Sequence, residues 1–168
     1  MCIHGMMERM TLENERVLLT RLSPSLARRI IDGREEPGDA WHRDYPFADE
    51  LAPLSALAAT TETGSPFTMY AIREARTGLA VGGFGFFGPP DSSGTVEFGY
   101  GLIPAARGRG LTTAAVGLAL DHARAWGARR AIADTDTGNA ASQRVLEKAG
   151  LVEVRREGSV VFFERELA

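Results

Sequence analysis

The chain has 168 residues, of which 44% are hydrophobic and 24% charged. That length fits one domain and is short for two, and that composition excludes disordered and fibrous classes. A net charge of −3 argues against a broad nucleic-acid surface, which needs a basic domain. Of the basic residues only Lys148 is a lysine, a bias read as composition and not function. A lone cysteine, Cys2, can form neither an internal disulfide nor a cysteine-based zinc site. No run of about 18 apolar residues is present to cross a membrane, and the opening residues lack the apolar core of a signal peptide. A cytoplasmic protein with a flexible start over residues 1–10 is the resulting expectation.

Glu15 to Leu22 reads as a first strand, ending before Ser23-Pro24. Ser25 to Asp32 reads as a short helix stopped at Gly33, and Asp49 to Thr60 as a second helix. Between them, Asp39 to Phe47 is a loop carrying Trp41, His42, Arg43, Asp44 and Tyr45. Phe67 to Glu74 and Leu79 to Phe87 form a hairpin around Arg76-Thr77-Gly78. Along Thr95 to Ile103, Val96, Phe98, Tyr100 and Leu102 point one way, and Glu97, Gly99 and Gly101 the other. A helix over Thr112 to Trp126 stops at Gly127. A strand over Ala131 to Thr135 and a helix over Asn139 to Ala149 follow, and a hairpin of Leu151 to Arg156 with Val160 to Glu166 closes the chain. The order is β-α-α-β-β-β-α-β-α-β-β, an α+β layered single domain around one mixed sheet.

Gly83-Phe84-Gly85-Phe86-Phe87-Gly88 matches the dinucleotide fingerprint in form only. Its glycines lie inside an apolar strand and run into Pro89-Pro90, whereas that motif needs them to open a helix. A nucleotide-binding module is therefore a minor reading, and strand glycines that permit close packing are the better one. The stronger signal is Ala105-Ala106-Arg107-Gly108-Arg109-Gly110-Leu111-Thr112, a glycine-punctuated loop between a strand and a helix. Its successive amides, with the free donors of the helix's first turn, make an anion cradle. The triphosphate-binding consensus with its lysine is absent.

Arg107 to Thr112 resembles the R/Q-x-x-G-x-G/A loop of the GCN5-related N-acetyltransferase (GNAT) superfamily, departing at Thr112, where that pattern has Gly or Ala. Asp136 to Leu151, with Asn139, Ser142, Glu147, Lys148 and Gly150, resembles the N-x-x-S-x-x-(V/L)-x-E-K-x-G-F helix of the subgroup similar to the ribosomal-protein N-acetyltransferases RimJ and RimL. Leu151 replaces the phenylalanine. The resemblance implies a GNAT fold with about six to seven strands and about four helices. It also implies transfer of an acetyl group from acetyl-CoA to a primary amine in a ternary complex, without a metal. The backbone of Leu102 and Ile103 would pair with the pantetheine amides, Arg107, Gly108, Arg109, Gly110, Leu111 and Thr112 would take the pyrophosphate, and Asn139 would cap its helix and meet the pantetheine arm.

Glu97 is the leading candidate for the base, through a water, because Gly99 and Gly101 leave room beside it. The alternative is a strand glutamate facing solvent or paired with one of the many arginines, and Asp134 and Glu164 are lesser candidates. Ser142 is the leading candidate to assist the departing thiolate, against a plain packing role in the helix's first turn. Trp41 and Tyr45 either line the acceptor site or only cover the core. The acceptor is a peptide N-terminus or a small-molecule amine. A degenerate acyl-CoA-binding regulator is the competing function, and the oligomeric state is monomer or homodimer. His4, His42 and His122 are scattered, with no metal-ligand spacing. His122 is expected half-buried or at the surface of its helix.

Overall fold

The computed structural model describes residues 11–168. The expected flexible start over residues 1–10, with Cys2 and His4, lies outside the described residues. β1 (Thr11–Glu13) turns at Asn14, whose side-chain oxygen accepts from the amides of Arg16 and Val17 at 2.9 Å, and returns as β2 (Val17–Arg21). Ser23 caps α1 (Pro24–Ile31) by accepting from the Leu26 amide at 3.1 Å. After a long loop, a single 3₁₀ turn over Ala48–Glu50 leads directly into α2 (Leu51–Ala58). The chain continues through β3 (Met69–Glu74), β4 (Ala80–Phe86) and β5 (Thr95–Leu102), then a 3₁₀ turn at Pro104–Ala106 and α3 (Leu111–Ala125). It ends with β6 (Arg130–Asp136), α4 (Ala140–Lys148), β7 (Val152–Glu157) and β8 (Val160–Glu166).

The strands form one eight-stranded sheet in the order β1-β2-β3-β4-β5-β6-β8-β7. Six to seven strands were expected. The additional one is β1, three residues long, which the Asn14 turn folds back onto β2. The second expected helix also divides, its first residues forming the 3₁₀ turn and the α-helix proper starting at Leu51. Every neighbouring pair of strands runs antiparallel except β5 and β6, which are parallel.

The two faces of the central strands differ in kind. On one face Tyr70 of β3, Phe84 of β4 and Tyr100 of β5 lie in register across the sheet. Phe84 stacks on Phe98 with ring centroids 5.3 Å apart and meets Phe86 edge-on at 4.9 Å, contacts that each add about 1 kcal/mol beyond burial. α3 covers this face with a helical stripe of Leu111, Ala115, Val116, Ala119, Leu120 and Ala123, all buried. His122 belongs to the same covered side. It is buried at 8% exposure with Nε2 3.4 Å from the Tyr70 hydroxyl, and burial lowers its pKa. This corrects the expectation of a surface or half-buried histidine: the small alanines of α3 bring the helix close enough to bury it. On the opposite face Gly83, Gly85, Gly99 and Gly101 form a floor almost without side chains, over which α2 sits.

Gly82 is where β4 and β5 come closest. A Cβ there would lie 2.2 Å from the Gly101 carbonyl oxygen and 3.1 Å from the Leu102 Cα, both backbone atoms that cannot swing aside. Gly82→Ala is therefore expected to destabilise the fold by about 3 kcal/mol, a fall in Tm of roughly 10 °C. Thermal unfolding followed by circular dichroism measures it, and a variant as stable as the parent would contradict the register.

Candidate active site

The parallel pair opens like a fork. β5 and β6 share rungs only at Thr95–Arg130, Val96–Ala131 and Glu97–Ile132, yet β5 runs on to Leu102 and β6 to Asp136. The direction of the peptide groups along β5 follows from its other neighbour. The Phe87 amide donates to Glu97 O at 2.8 Å and the Ile103 amide to Val81 O at 2.9 Å. Odd-numbered residues of β5 thus turn their peptide groups toward β4, and Phe98, Tyr100 and Leu102 turn theirs into the gap. The Leu102 backbone faces the gap, its carbonyl accepting from Arg107 Nε at 3.1 Å. Ile103 does not: its amide serves Val81 and its carbonyl accepts from the Ala106 amide at 3.0 Å. The alternation of a strand allows one of two adjacent residues to face the gap, and here it is the even one.

At the open end of the fork, Gly108 and Gly110 take left-handed conformations, with φ of 80° and 75°. These turns cost little only for glycine. The first bond of α3 runs from the Ala114 amide to Gly110 O at 3.1 Å, and the amides from Gly108 to Thr113 find no acceptor among the described residues. They form a continuous donor surface at the positive end of a 15-residue helix. Gly110 stands at the cap position, so Thr112 lies inside the helix and does not cap it. The two arginines brace this loop. Arg109 pairs with buried Glu74 at 2.7 Å, and Arg107 lies 5.1 Å over the Phe47 ring while holding Leu102 O. Arg16 Nη1 adds a bond to Arg109 O at 3.3 Å.

The far prong of the fork leads into α4. Asn139 caps it, its side-chain oxygen accepting from the Ser142 amide at 3.0 Å. Tyr100 reaches from β5 to this first turn, its hydroxyl 2.9 Å from Ser142 Oγ and 3.2 Å from Ser142 O. Burial pushes the Tyr100 phenol up, opposed by the Ser142 bond, so both hydroxyls stay protonated. Sequence reasoning placed Ser142 but overlooked Tyr100. Its one signal was its place on the same strand face as Phe98.

The glycine face carries a cavity of about 650 Å³ between α2 and the sheet, walled by Pro53, Leu57, Phe87 and the glycine floor. Asp49 and Glu50 stand at one end of it. A Cβ on Gly101 would lie 3.5 Å from Asp49 Oδ2, and one on Gly83 would lie 2.8 Å from Glu50 Oε2. Glu50 is 4% exposed, and neither of its oxygens has a hydrogen-bond partner among the described residues. Burial first, and the Asp49 charge second, push its carboxyl up to about 8. Sequence reasoning missed this pair, because acidic residues ahead of an apolar helix read as ordinary companions of the helix dipole.

Glu97 occupies the last rung of the fork, exposed, on the same face as Gly99 and Gly101, with no ion pair or side-chain hydrogen bond among the described residues. Asp134 is exposed on β6, and Glu164 is half-buried opposite Ile132. Trp41 and Tyr45 do not line the cavity. Their loop is stitched to β4 by the His42 amide on Ala80 O at 3.0 Å and the Ala80 amide on Ala40 O at 2.8 Å. Trp41 packs 6.3 Å from Tyr45 and 6.0 Å from the Arg29 guanidinium, while Tyr45 is buried. Both aromatics thus pack against the core, away from this cavity. Among the described residues, no three His, Cys, Asp or Glu side chains are grouped to hold a metal ion, and no helix is long and apolar enough to cross a membrane.

Residues 16–152 match the model of the acetyltransferase (GNAT) domain, and the chain belongs to that family of acyltransferases. Its fold is similar to that of a GCN5-related N-acetyltransferase from Brucella melitensis, with a TM-score of 0.66 and 19% identity over 95% of this chain and 80% of that one. It is also similar to a ribosomal-protein-S5-alanine acetyltransferase from Vibrio fischeri, with a TM-score of 0.63 and 16% identity over 94% and 96% of the two chains. A GNAT-family structure from Chromobacterium violaceum gives a TM-score of 0.62 and 26% identity over 94% and 86%. A search of curated proteins finds no match.

Because Asn139 holds the first turn of α4, Asn139→Ala is expected to cost about 1 kcal/mol, a fall in Tm of roughly 2–4 °C. Calorimetry reads the shift; an unchanged Tm would mean that the cap contributes nothing.

Proposed function

We propose that the protein transfers the acetyl group of acetyl-CoA to a primary amine by direct attack within a ternary complex. The observation that carries this reading is the fork with its run of free amides from Gly108 to Thr113. Hydrogen bonds to a charged acceptor contribute roughly 1.5–3 kcal/mol each, so three or four such amides suffice to hold a diphosphate. From there an extended arm following β5 toward the rung at Glu97 meets the peptide groups of Leu102 and then Tyr100. Asn139 borders the same gap from α4.

A thioester lying beside Tyr100 has a different chemistry on each side. The Tyr100–Ser142 hydroxyl pair lies on the aromatic face, where Ser142 can donate a proton to the departing sulfur. The glycine floor on the other face leaves space for the amine to approach, and the Tyr100 amide is available to the carbonyl oxygen as charge develops. Glu97 lies about 13 Å along β5 from Gly101, so it would receive the proton that the nitrogen loses on attack only through a chain of several waters. An α-amine with a pKa near 8 is about a tenth neutral at pH 7, whereas a lysine amine near 10.4 is under a thousandth neutral. A peptide N-terminus or a weakly basic small amine is thus the favoured acceptor.

Thiol release from acetyl-CoA across a panel of amines and N-terminal peptides tests the proposal. Release is expected with at least one α-amine; tight coenzyme A binding with no release on any acceptor would favour a regulatory binder. Glu97→Gln should lower activity steeply at neutral pH and less at high pH, and an unchanged pH–rate profile removes Glu97 from the mechanism. Ser142→Ala should slow turnover about tenfold, and full turnover in that variant removes the hydroxyl donor.

A further inference from the structure

We propose that Glu50, with Asp49 beside it, is the group that meets the acceptor amine and takes the proton that frees its lone pair. This deepens the acetyl-transfer reading and rests on it. The cavity over the glycine floor is mostly apolar, and its end beside Gly83 and Gly101 is closed by these two carboxyl groups. Glu50 is buried yet neither of its oxygens has a partner, and a buried polar group left without one is rare enough to call for an explanation. Among the described residues the side chain makes no ion pair or hydrogen bond, and it caps no helix. Its position above Gly83 puts it across one strand from Gly101, next to the Tyr100 peptide group that borders the gap.

The groups that bear on its ionisation are few. Asp49 is exposed at the cavity end, the buried Tyr45 phenol lies within reach of Glu50's charge, and the Arg73 guanidinium stands beyond Tyr45. The Arg21–Glu62 ion pair, at 2.6 Å, sits elsewhere on the cavity wall. A carboxyl raised to about 8 matches an α-amine, so proton transfer between them is close to balanced. Transfer from a lysine ammonium to the same carboxyl is uphill by more than two pK units.

The proton count closes with two carboxylates. The ammonium gives one proton to Glu50, and the freed nitrogen then forms its bond to the acetyl carbon. As the carbon–sulfur bond breaks, the sulfur takes a proton from Ser142, which is restored from solvent. The nitrogen's surplus proton leaves through water toward Glu97, and the products are the acetylated amine and free coenzyme A.

The test measures kcat against pH with an α-amine peptide for the parent, Glu50→Gln and Asp49→Asn. The parent should show activity rising with pH through a limb near 8. Glu50→Gln should lose about 100-fold in kcat at pH 7, with the KM for acetyl-CoA within twofold of the parent, and its remaining limb should follow the basicity of the acceptor amine. Asp49→Asn removes the neighbouring negative charge, so Glu50 loses its proton more readily and the limb moves to lower pH. Glu50→Gln that retains a third or more of kcat at pH 7 overturns the assignment, as does an unmoved limb in Asp49→Asn. Because Asp49 is exposed, its variant decides the question even if Glu50→Gln does not fold. A parent that releases thiol to no amine fails the acetyl-transfer reading itself, a result separate from either variant's.

Discussion

The site depends on where hydrogen bonding between two parallel strands stops. β5 and β6 lie side by side up to the Glu97–Ile132 rung and then part, although both continue. Backbone donors and acceptors seek partners, and a strand that loses its neighbour offers its peptide groups to whatever extended chain can take the vacated place. In open sheets, ligands gather beyond the carboxyl ends of parallel strands for this reason. Here the same strand ends lead into the two helix starts that flank the gap, at Leu111 and Ala140.

The second constraint is the division of the central strands into two unlike faces. Tyr70, Phe84 and Phe98 are buried on the face that α3 covers, and half-buried Tyr100 continues that face to Ser142 of α4. Gly83, Gly85, Gly99 and Gly101 leave the other face open beneath α2. The sheet is thereby rigid on one side and vacant on the other, and the line between them runs through the β5 backbone. Hydroxyl groups stand on the packed side of the β5 backbone and carboxyl groups on the open side.

Much of this was legible in the residues. The glycine loop, its helix and the Asn139–Ser142 turn carry strong local signatures, because each needs particular residues at particular spacings: glycine where φ is positive, asparagine where a helix begins. The short strand β1 was not legible, since three residues have no periodicity and it exists through pairing with β2. The choice between Leu102 and Ile103 needed the β4 register, which no local pattern encodes. Glu50 was hidden for a related reason. It looks like any acidic residue before a helix until the glycine floor, contributed by strands far along the chain, is placed against it. For Trp41 and Tyr45 the sequence left two roles open, because loop aromatics that cover a core and those that line a site have the same composition.

The most direct test of the account is amide hydrogen exchange, residue by residue, in the free protein and at saturating coenzyme A. If the ligand's arm takes the place beside β5 and its diphosphate rests on the helix start, the Tyr100 and Leu102 amides and those from Gly108 to Thr113 gain protection together, while Ile103 is unchanged. Protection confined to another part of the molecule, with these amides exchanging as in the free protein, would contradict the fork as the binding site.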